Sequence, residues 1–370
     1  MKRNKQTKNQ REVWIIRGLS CVLLFIIILT AAGILAQKRA YNHSWKELAQ
    51  EETNTSNEED VSNETNISSE TSTQEELCPK PEYDFRTEKV TIAIDGISKP
   101  YTIAWVSDLH LVSDHEAGDA LGDVHAEYLD AVNKRYEGLA VTADGIHAKE
   151  LWPEIVKYLN YNEFDGVIFG GDIMDYCSNS NIALIKEGLD DLRIPYIYVR
   201  ADHDYGTYYG GVFFTETEAR ALHKTIDGDE LANKFWDRND FIVLGIDNST
   251  KDMPEYYLNM VAEVYTRGKP VIMVTHVPYE SKIDGSLAEL SMQVRNTIYY
   301  WSDTSDHFKP NDITRRYLDL IYSEDTVVKQ VLAGHLHASW DGMISQQVPQ
   351  HIFAPAFSGS IGIIHIVPKE

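Results

Sequence analysis

From Phe85 onward, short apolar runs rich in β-formers alternate with longer segments of helical character. The runs are "YTIAWVS", "FDGVIFGG", "IPYIYVR", "FIVLGI", "PVIMVT", "VVKQVLAG", "QHIFAPAF" and "IGIIHIVP". Between them lie amphipathic stretches such as "ELWPEIVKYLN", "NIALIKEGLDDL", "TETEARALHKTI" and "DITRRYLDLIYS". Strands that read as near-continuous apolar runs are buried on both faces, and their alternation with helices predicts an α/β domain. The last two runs have no helix between them, which predicts an antiparallel finish.

The residues just past the end of each run carry the chemistry. "YTIAWVS" leads into Asp108-Leu109-His110, "FDGVIFGG" into Asp172, and "IPYIYVR" into Ala201-Asp202-His203-Asp204. "PVIMVT" leads into His276, and "VVKQVLAG" into His335-Leu336-His337. A single Asp or His after a strand is usually a turn residue or a helix cap. Five such ends in one domain are hard to obtain by chance, and α/β sheets bind ligands outside the carboxyl ends of their strands. In extended backbone, the i, i+2 pairs Asp108/His110 and His335/His337 would each project to one side. Gly171 and Gly334 stand just before Asp172 and His335, where they would let backbone and ion approach closely. Carboxylates mixed with imidazoles suit Zn, Mn or Fe better than Ca or Mg, which prefer oxygen alone.

Charge bounds the partners. The chain of 370 residues carries a formal net charge of −23. Residues 1–40 hold +7 and residues 41–76 hold −9, which leaves −21 on residues 77–370. A domain so acidic repels phosphate backbones, so no nucleic-acid partner is expected. A small anionic substrate requires local positive charge, such as a metal.

The N-terminal region reads differently. Residues 18–37, "GLSCVLLFIIILTAAGILAQ", contain no charge and are long enough to span a bilayer as a helix. The basic residues of 1–17 place that terminus in the cytoplasm, which predicts a single-pass signal-anchor at the cell membrane with the bulk extracytoplasmic. A cleaved signal peptide is the rival, but Ile34-Leu35-Ala36 is a poor cleavage site. Residues 38–84, acidic and rich in Ser, Thr and Asn, read as a disordered tether to a domain at 85–370. Of three cysteines, Cys21 lies in the apolar run, leaving Cys78 and Cys177 able to pair only in an oxidising compartment.

Taken in order, Asp108-x-His110, Gly171-Asp172-x-x-Asp175, Asp202-His203-Asp204, His276 and Gly334-His335-x-His337 resemble the calcineurin-like metallophosphoesterases. The family pattern is D-x-H, G-D-x-x-D, G-N-H-[DE], H, G-H-x-H. The resemblance implies a two-sheet β-sandwich flanked by helices, with two divalent metal ions (Mn, Fe or Zn) at one edge. It implies a first metal held by Asp108, His110, Asp172 and His337, and a second held by Asp172, Asp202, His276 and His335. His203 would be the catalytic histidine near the leaving group, Asp175 the carboxylate orienting it, and Asp204 structural support. Ala201 and Asp202 depart from the family's Gly and Asn; the second departure adds a negative charge to the cluster.

The activity implied is hydrolysis of a phosphomonoester, phosphodiester or pyrophosphate by a metal-bridging hydroxide. The substrate would be a phosphate-ester small molecule or an envelope-associated molecule. Aromatic segments 205–211 and 297–308 are candidate pocket walls. The competing readings are a metal-binding pseudoenzyme acting as an envelope binding or scaffold protein, and a different metal hydrolase such as a cell-wall amidase.

Overall fold

The computed structural model describes residues 78–113, 134, 136–206, 216–227, 234–249 and 253–369. All belong to one compact unit, Ser68–Glu370. The span expected at 18–37 and most of the expected tether lie outside the described residues. Among the described residues, no helix is long and apolar enough to cross a membrane. The packed chain begins before Phe85: the amides of Glu82 and Tyr83 donate to Glu154 at 2.5 and 3.2 Å.

Two mixed sheets form the centre. The first contains β1 (Arg86–Ile94), β2 (Tyr101–Val106), β3 (Gly166–Phe169), β4 (Tyr196–Tyr198) and β11 (Ser360–Pro368), in the order β1-β11-β2-β3-β4. The second contains β5 (Phe235–Asp237), β6 (Ile242–Ile246), β7 (Val271–Thr275), β8 (Val328–Ala333), β9 (Trp340–Met343) and β10 (Pro349–Ile352), in the order β5-β6-β7-β8-β10-β9. Strands β2, β3 and β4 run parallel, as do β6, β7, β8 and β10.

Side-chain alternation explains why the runs are continuously apolar in sequence. On β2, Ile103 and Trp105 enter a core shared with Val243, Ile272, Val274 and Leu332 of the second sheet. Ala104 and Val106 face the opposite way, into a core with Leu151, Trp152 and Ile155. Those three belong to α1 (Ala148–Tyr161), which packs with α2 (Asn179–Asp191). The start of α2 is fixed by Ser178, whose hydroxyl accepts from the Asn181 amide at 3.1 Å. The remaining helices are the single turn α3 (Asp202–Tyr205), then α4 (Glu216–Asp227), α5 (Glu255–Thr266), α6 (Ser286–Arg295) and α7 (Asp312–Tyr322). Helices α5 and α7 pack together, and Tyr317 of α7 reaches Met273 of β7.

The last two strands do not pair with each other. β10 belongs to the second sheet, whereas β11 crosses to the first, where it runs antiparallel to β2 and parallel to β1. Cys78 and Cys177 are both free thiols, Cys177 fully buried.

Candidate metal centre

The parallel strands β2, β3 and β4 of one sheet and β7 and β8 of the other deliver their carboxyl ends to one place. Asp108 follows β2, Asp172 follows β3, Asp202 follows β4, His276 follows β7, and His335 follows β8. The loops are sewn together by backbone bonds. Asp108 N donates to Gly171 O and His110 N to Asp172 O, both at 2.9 Å, and Gly334 N donates to His276 O at 3.1 Å.

The expectation of extended backbone through the i, i+2 pairs is corrected here. Asp108, His110, Asp172, His335 and His337 all have positive φ, between 50° and 74°. Only one other described non-glycine residue, Asn296, shares that conformation. Left-handed backbone costs an L-residue roughly 1–2 kcal/mol, so each position is held by its surroundings. The consequence is that His335 and His337 do not project to one side. They enter different clusters.

Asp172, Asp202, His276 and His335 each bring one ligand atom within 4.8 Å of the others. Asp108, His110 and His337 do the same, as do His110, Asp175 and His203. One oxygen of Asp172 faces both of the first two groups, its Oδ2 lying 3.1 Å from His276 Nε2 and 3.8 Å from His110 Nε2. Asp108 Oδ1 is 3.4 Å from His337 Nε2 and 3.9 Å from His276 Nε2. All nine residues singled out from the sequence therefore come together.

Each donor is oriented from behind. His276 Nδ1 donates to Gly170 O at 2.9 Å, which turns Nε2 toward Asp172. Asp175 Oδ1 accepts from His110 Nδ1 at 2.8 Å. His203 Nδ1 is 2.8 Å from the backbone oxygen of Asp175 and 3.3 Å from its carboxylate. Asp175 thus positions two histidines, with its shorter carboxylate contact to His110. Asp204 is structural: its carboxylate accepts from the amides of Asp172, Ile173, Met174 and Ala201 and from the Tyr198 hydroxyl.

The glycines serve these donors rather than an approaching ion. A Cβ on Gly171 would lie 2.6 Å from His276 Nδ1, and one on Gly334 would lie 2.4 Å from Asp108 Oδ2. Ala201, where the family pattern has Gly, has extended backbone that any residue adopts, so its methyl introduces no strain.

The electrostatics follow from burial of several carboxylates together. Burial opposes the ionised form of Asp108 and Asp172, yet the neighbouring histidines outweigh it and hold both below the usual carboxylate range. Burial, reinforced by the Asp172 charge, pushes Asp202 up. Burial alone would lower His276, but Asp172, Asp108 and Asp202 raise it to about 10. His203 is likewise raised by Asp172 and Asp175 against its burial.

The donor set fits a divalent cation. Asp202 Oδ1, His276 Nε2 and His335 Nε2 are buried without a hydrogen-bond partner, and all three belong to one group. Buried polar atoms are nearly always satisfied by hydrogen bonds or by a metal, and three orphans converging with a shared Asp172 oxygen describe a ligand set.

Several contributors are not singled out by the sequence pattern. Asn248 Oδ1 accepts from the amides of His276 and Val277 at 3.2 and 2.9 Å. A signal for it exists, since "FIVLGI" also ends in polar residues, Asp247-Asn248. Ser107 donates to Asp108 Oδ2 at 2.7 Å. Arg200 is buried beside Asp247, which also meets Lys234 and Tyr205. Within segment 297–308, Tyr299 stacks on His335 with centroids 4.4 Å apart, whereas Trp301 is core and donates to Asn248 O. Most of 205–211 lies outside the described residues, as do His43, His115 and His125. Elsewhere, His147 stacks on Tyr136, His223 contacts Asp204 O, and His365 contacts Thr102 across β11 and β2.

No curated protein sequence matches the chain. Among solved structures, it resembles a dimetal phosphatase from Danio rerio at 12% identity over 70% of this chain and 88% of that one, with a TM-score of 0.38. It resembles a phosphopantetheinyl hydrolase from Mycobacterium tuberculosis at 12% identity over 70% and 91%, with a TM-score of 0.37. A purple acid phosphatase from yellow lupin, Lupinus luteus, gives 13% identity over 72% and 45%, with a TM-score of 0.40. The family model for calcineurin-like phosphoesterases matches residues 101–339. That match covers most of the chain, includes every strand end described above, and shows that the protein belongs to the calcineurin-like phosphoesterase family.

Proposed function

We propose that the chain is a dinuclear-metal hydrolase of phosphate esters, its domain tethered to the outer face of a membrane by residues 18–37. The observation that carries the metal reading is the set of buried, unsatisfied atoms Asp202 Oδ1, His276 Nε2 and His335 Nε2 around the shared oxygen of Asp172. Asp108, His110, Asp172 and His337 would hold one ion, and Asp172, Asp202, His276 and His335 the other. Two divalent ions, when bound, activate a water for attack on phosphorus and neutralise the phosphoryl oxygens.

The protein's own part is positioning and proton transfer. His203 is tied at Nδ1 to the Asp175 carbonyl, so the proton available to a leaving group is on Nε2. Asp172 and Asp175 favour its protonated form, which makes it a general acid for a departing alkoxide. Asp175 fixes His203 and His110 in one arrangement, so the acid and a metal ligand cannot shift independently. Family membership supports hydrolysis of a phosphomonoester, phosphodiester or pyrophosphate bond.

The test is turnover by the whole chain, loaded with Mn, Fe or Zn, against nitrophenyl phosphate, bis-nitrophenyl phosphate and a nucleotide pyrophosphate. Full metal occupancy with no turnover of any of them would favour a binding protein that has kept its ligands. The membrane reading rests on the charge-free run and its basic flank; protease added to intact cells should remove the domain, and full protection would overturn it.

A further inference from the structure

We propose that Arg295 is the substrate-phosphate binding residue of this site, an assignment that rests on the phosphoesterase reading and deepens it. Arg295 is the last residue of α6, and its Nη2 donates to the backbone oxygen of His335 at 2.6 Å. Its guanidinium lies over the ring of Tyr299, 5.5 Å from the centroid, and Tyr299 in turn stacks on the His335 imidazole at 4.4 Å with planes 13° apart. The same helix also holds Tyr299: Ser291 of α6 accepts from the Tyr299 amide at 2.9 Å and donates to Thr297 O at 2.8 Å. The guanidinium is therefore locked against the wall of the candidate metal centre by a hydrogen bond and a ring face.

Its binding capacity is only partly used. A guanidinium carries five N–H donors in a fixed fork suited to phosphate. Arg295 makes one hydrogen bond and no ion pair among the described residues, and its Nε is screened from solvent without an acceptor. Arg295 is half-buried, and the buried, unpartnered Nε beside a ligand set leaves donors that an incoming anion can take. Through its bond to the His335 backbone and its place over Tyr299, the charge lies beside the donor groups. With −21 on residues 77–370, an anionic ester gains most from such a fixed cation beside the donor groups.

The aromatic wall narrows the substrate. Phe308 meets both Tyr299 and His335 edge-on, with centroids 5.3 and 5.1 Å away. Arg295 and Tyr299 together offer a cation for a phosphoryl oxygen and an apolar surface for the group esterified to it.

Inorganic phosphate is the probe, since it needs no knowledge of the ester. The whole chain and its Arg295→Gln and Arg295→Lys variants are loaded with Mn, metal is counted by elemental analysis, and phosphate affinity is measured by calorimetry. Loss of charge-assisted bonds to phosphate weakens binding by about tenfold to a hundredfold. The expected result is that loss in Arg295→Gln with both metals retained, partial recovery in Arg295→Lys, and a rise in KM exceeding the fall in kcat. Unchanged phosphate affinity at full metal content overturns the assignment even where the wild type hydrolyses esters. Loss of metal in both variants also overturns it, making Arg295 a prop for His335. Arg295-dependent phosphate binding by a protein that turns over no ester would uphold it while the hydrolase reading fails.

Discussion

The Nε2 atoms of His110 and His337 lie 3.0 Å apart, although they come from loops 227 residues distant in sequence. Asp175 accepts a hydrogen bond from His110 Nδ1–H, which leaves the lone pair of the neutral ring on Nε2, turned toward His337. On the proposed reading, a divalent cation would be the partner that both nitrogens and the nearby Asp108 carboxylate share. Removing metal should therefore destabilise the fold as well as abolish activity. At a free metal concentration a hundred times the dissociation constant, binding stabilises by about 2.7 kcal/mol. Thermal melts with and without a chelator should differ by several degrees; identical melts would mean that the cluster holds no ion.

His203→Ala should keep two metals per chain and lose about 10²–10⁴-fold in kcat, the usual range for a general acid. The loss should shrink with nitrophenolate esters, whose leaving group needs no proton. Metal content falling together with activity would make His203 a ligand instead.

Asp202 stands where the family pattern has Asn, and its Oδ1 is one of the orphaned atoms. Asp202→Asn keeps a donor oxygen and should retain both metals. Asp202→Ala removes it and should leave about one metal per chain under limiting metal, as counted by elemental analysis. Two metals bound with unaltered affinity in the alanine variant would place Asp202 outside the ligand set.

A pH-dependent tie joins the two sheets away from the centre. His351 of β10 is 3.0 Å from Glu88 of β1 and 3.2 Å from Asp341 of β9. Burial opposes the charge on each of Glu88 and His351, but their pairing outweighs it, holding Glu88 below its usual 4.5 and His351 above its usual 6.5. The Glu88 contribution is present above pH 4.5 and lost as pH falls through its lowered folded value. The His351 contribution is present below pH 6.5 and lost as pH rises through its raised folded value. The tie is therefore fullest between these two values and is worth about 1 kcal/mol or less, given its partial exposure. Urea unfolding of wild type and His351→Gln should differ more at pH 5.5 than at pH 8.5; an equal difference at both would show that the pair does not titrate in this way.

The strand ends are legible because burial on both faces makes a central strand apolar throughout, so the first polar residue after it stands out. The same logic hides β1, which is exposed at Arg86, Thr87 and Lys89 and then alternates, with only Val90, Ile92 and Ile94 buried. It also conceals the backbone of the site, since nothing in Asp108 or His337 as residue types announces a positive φ. Asn248 escapes because an amide is not among the usual metal-capable groups, although its work is to hold a histidine by the main chain. Arg295 gives no signal at all: one arginine at a helix end means nothing until the fold sets it against Tyr299 and His335.

Among the described residues, strand β1 pairs with one neighbour, β11, in register from Arg86 with Ser360 to Ile94 with Pro368. β11 also separates β1 from β2, so the first sheet cannot join β1 to the rest until residues 360–368 have been made. A ribosome releasing this chain exposes β1 and β2 long before the piece that joins them exists. Until residues 360–368 emerge, β1 has no strand to pair with in this sheet and stays open to chaperones. On the outward topology proposed above, that delay would keep the polypeptide loose enough to thread through a membrane pore before its sheet closes.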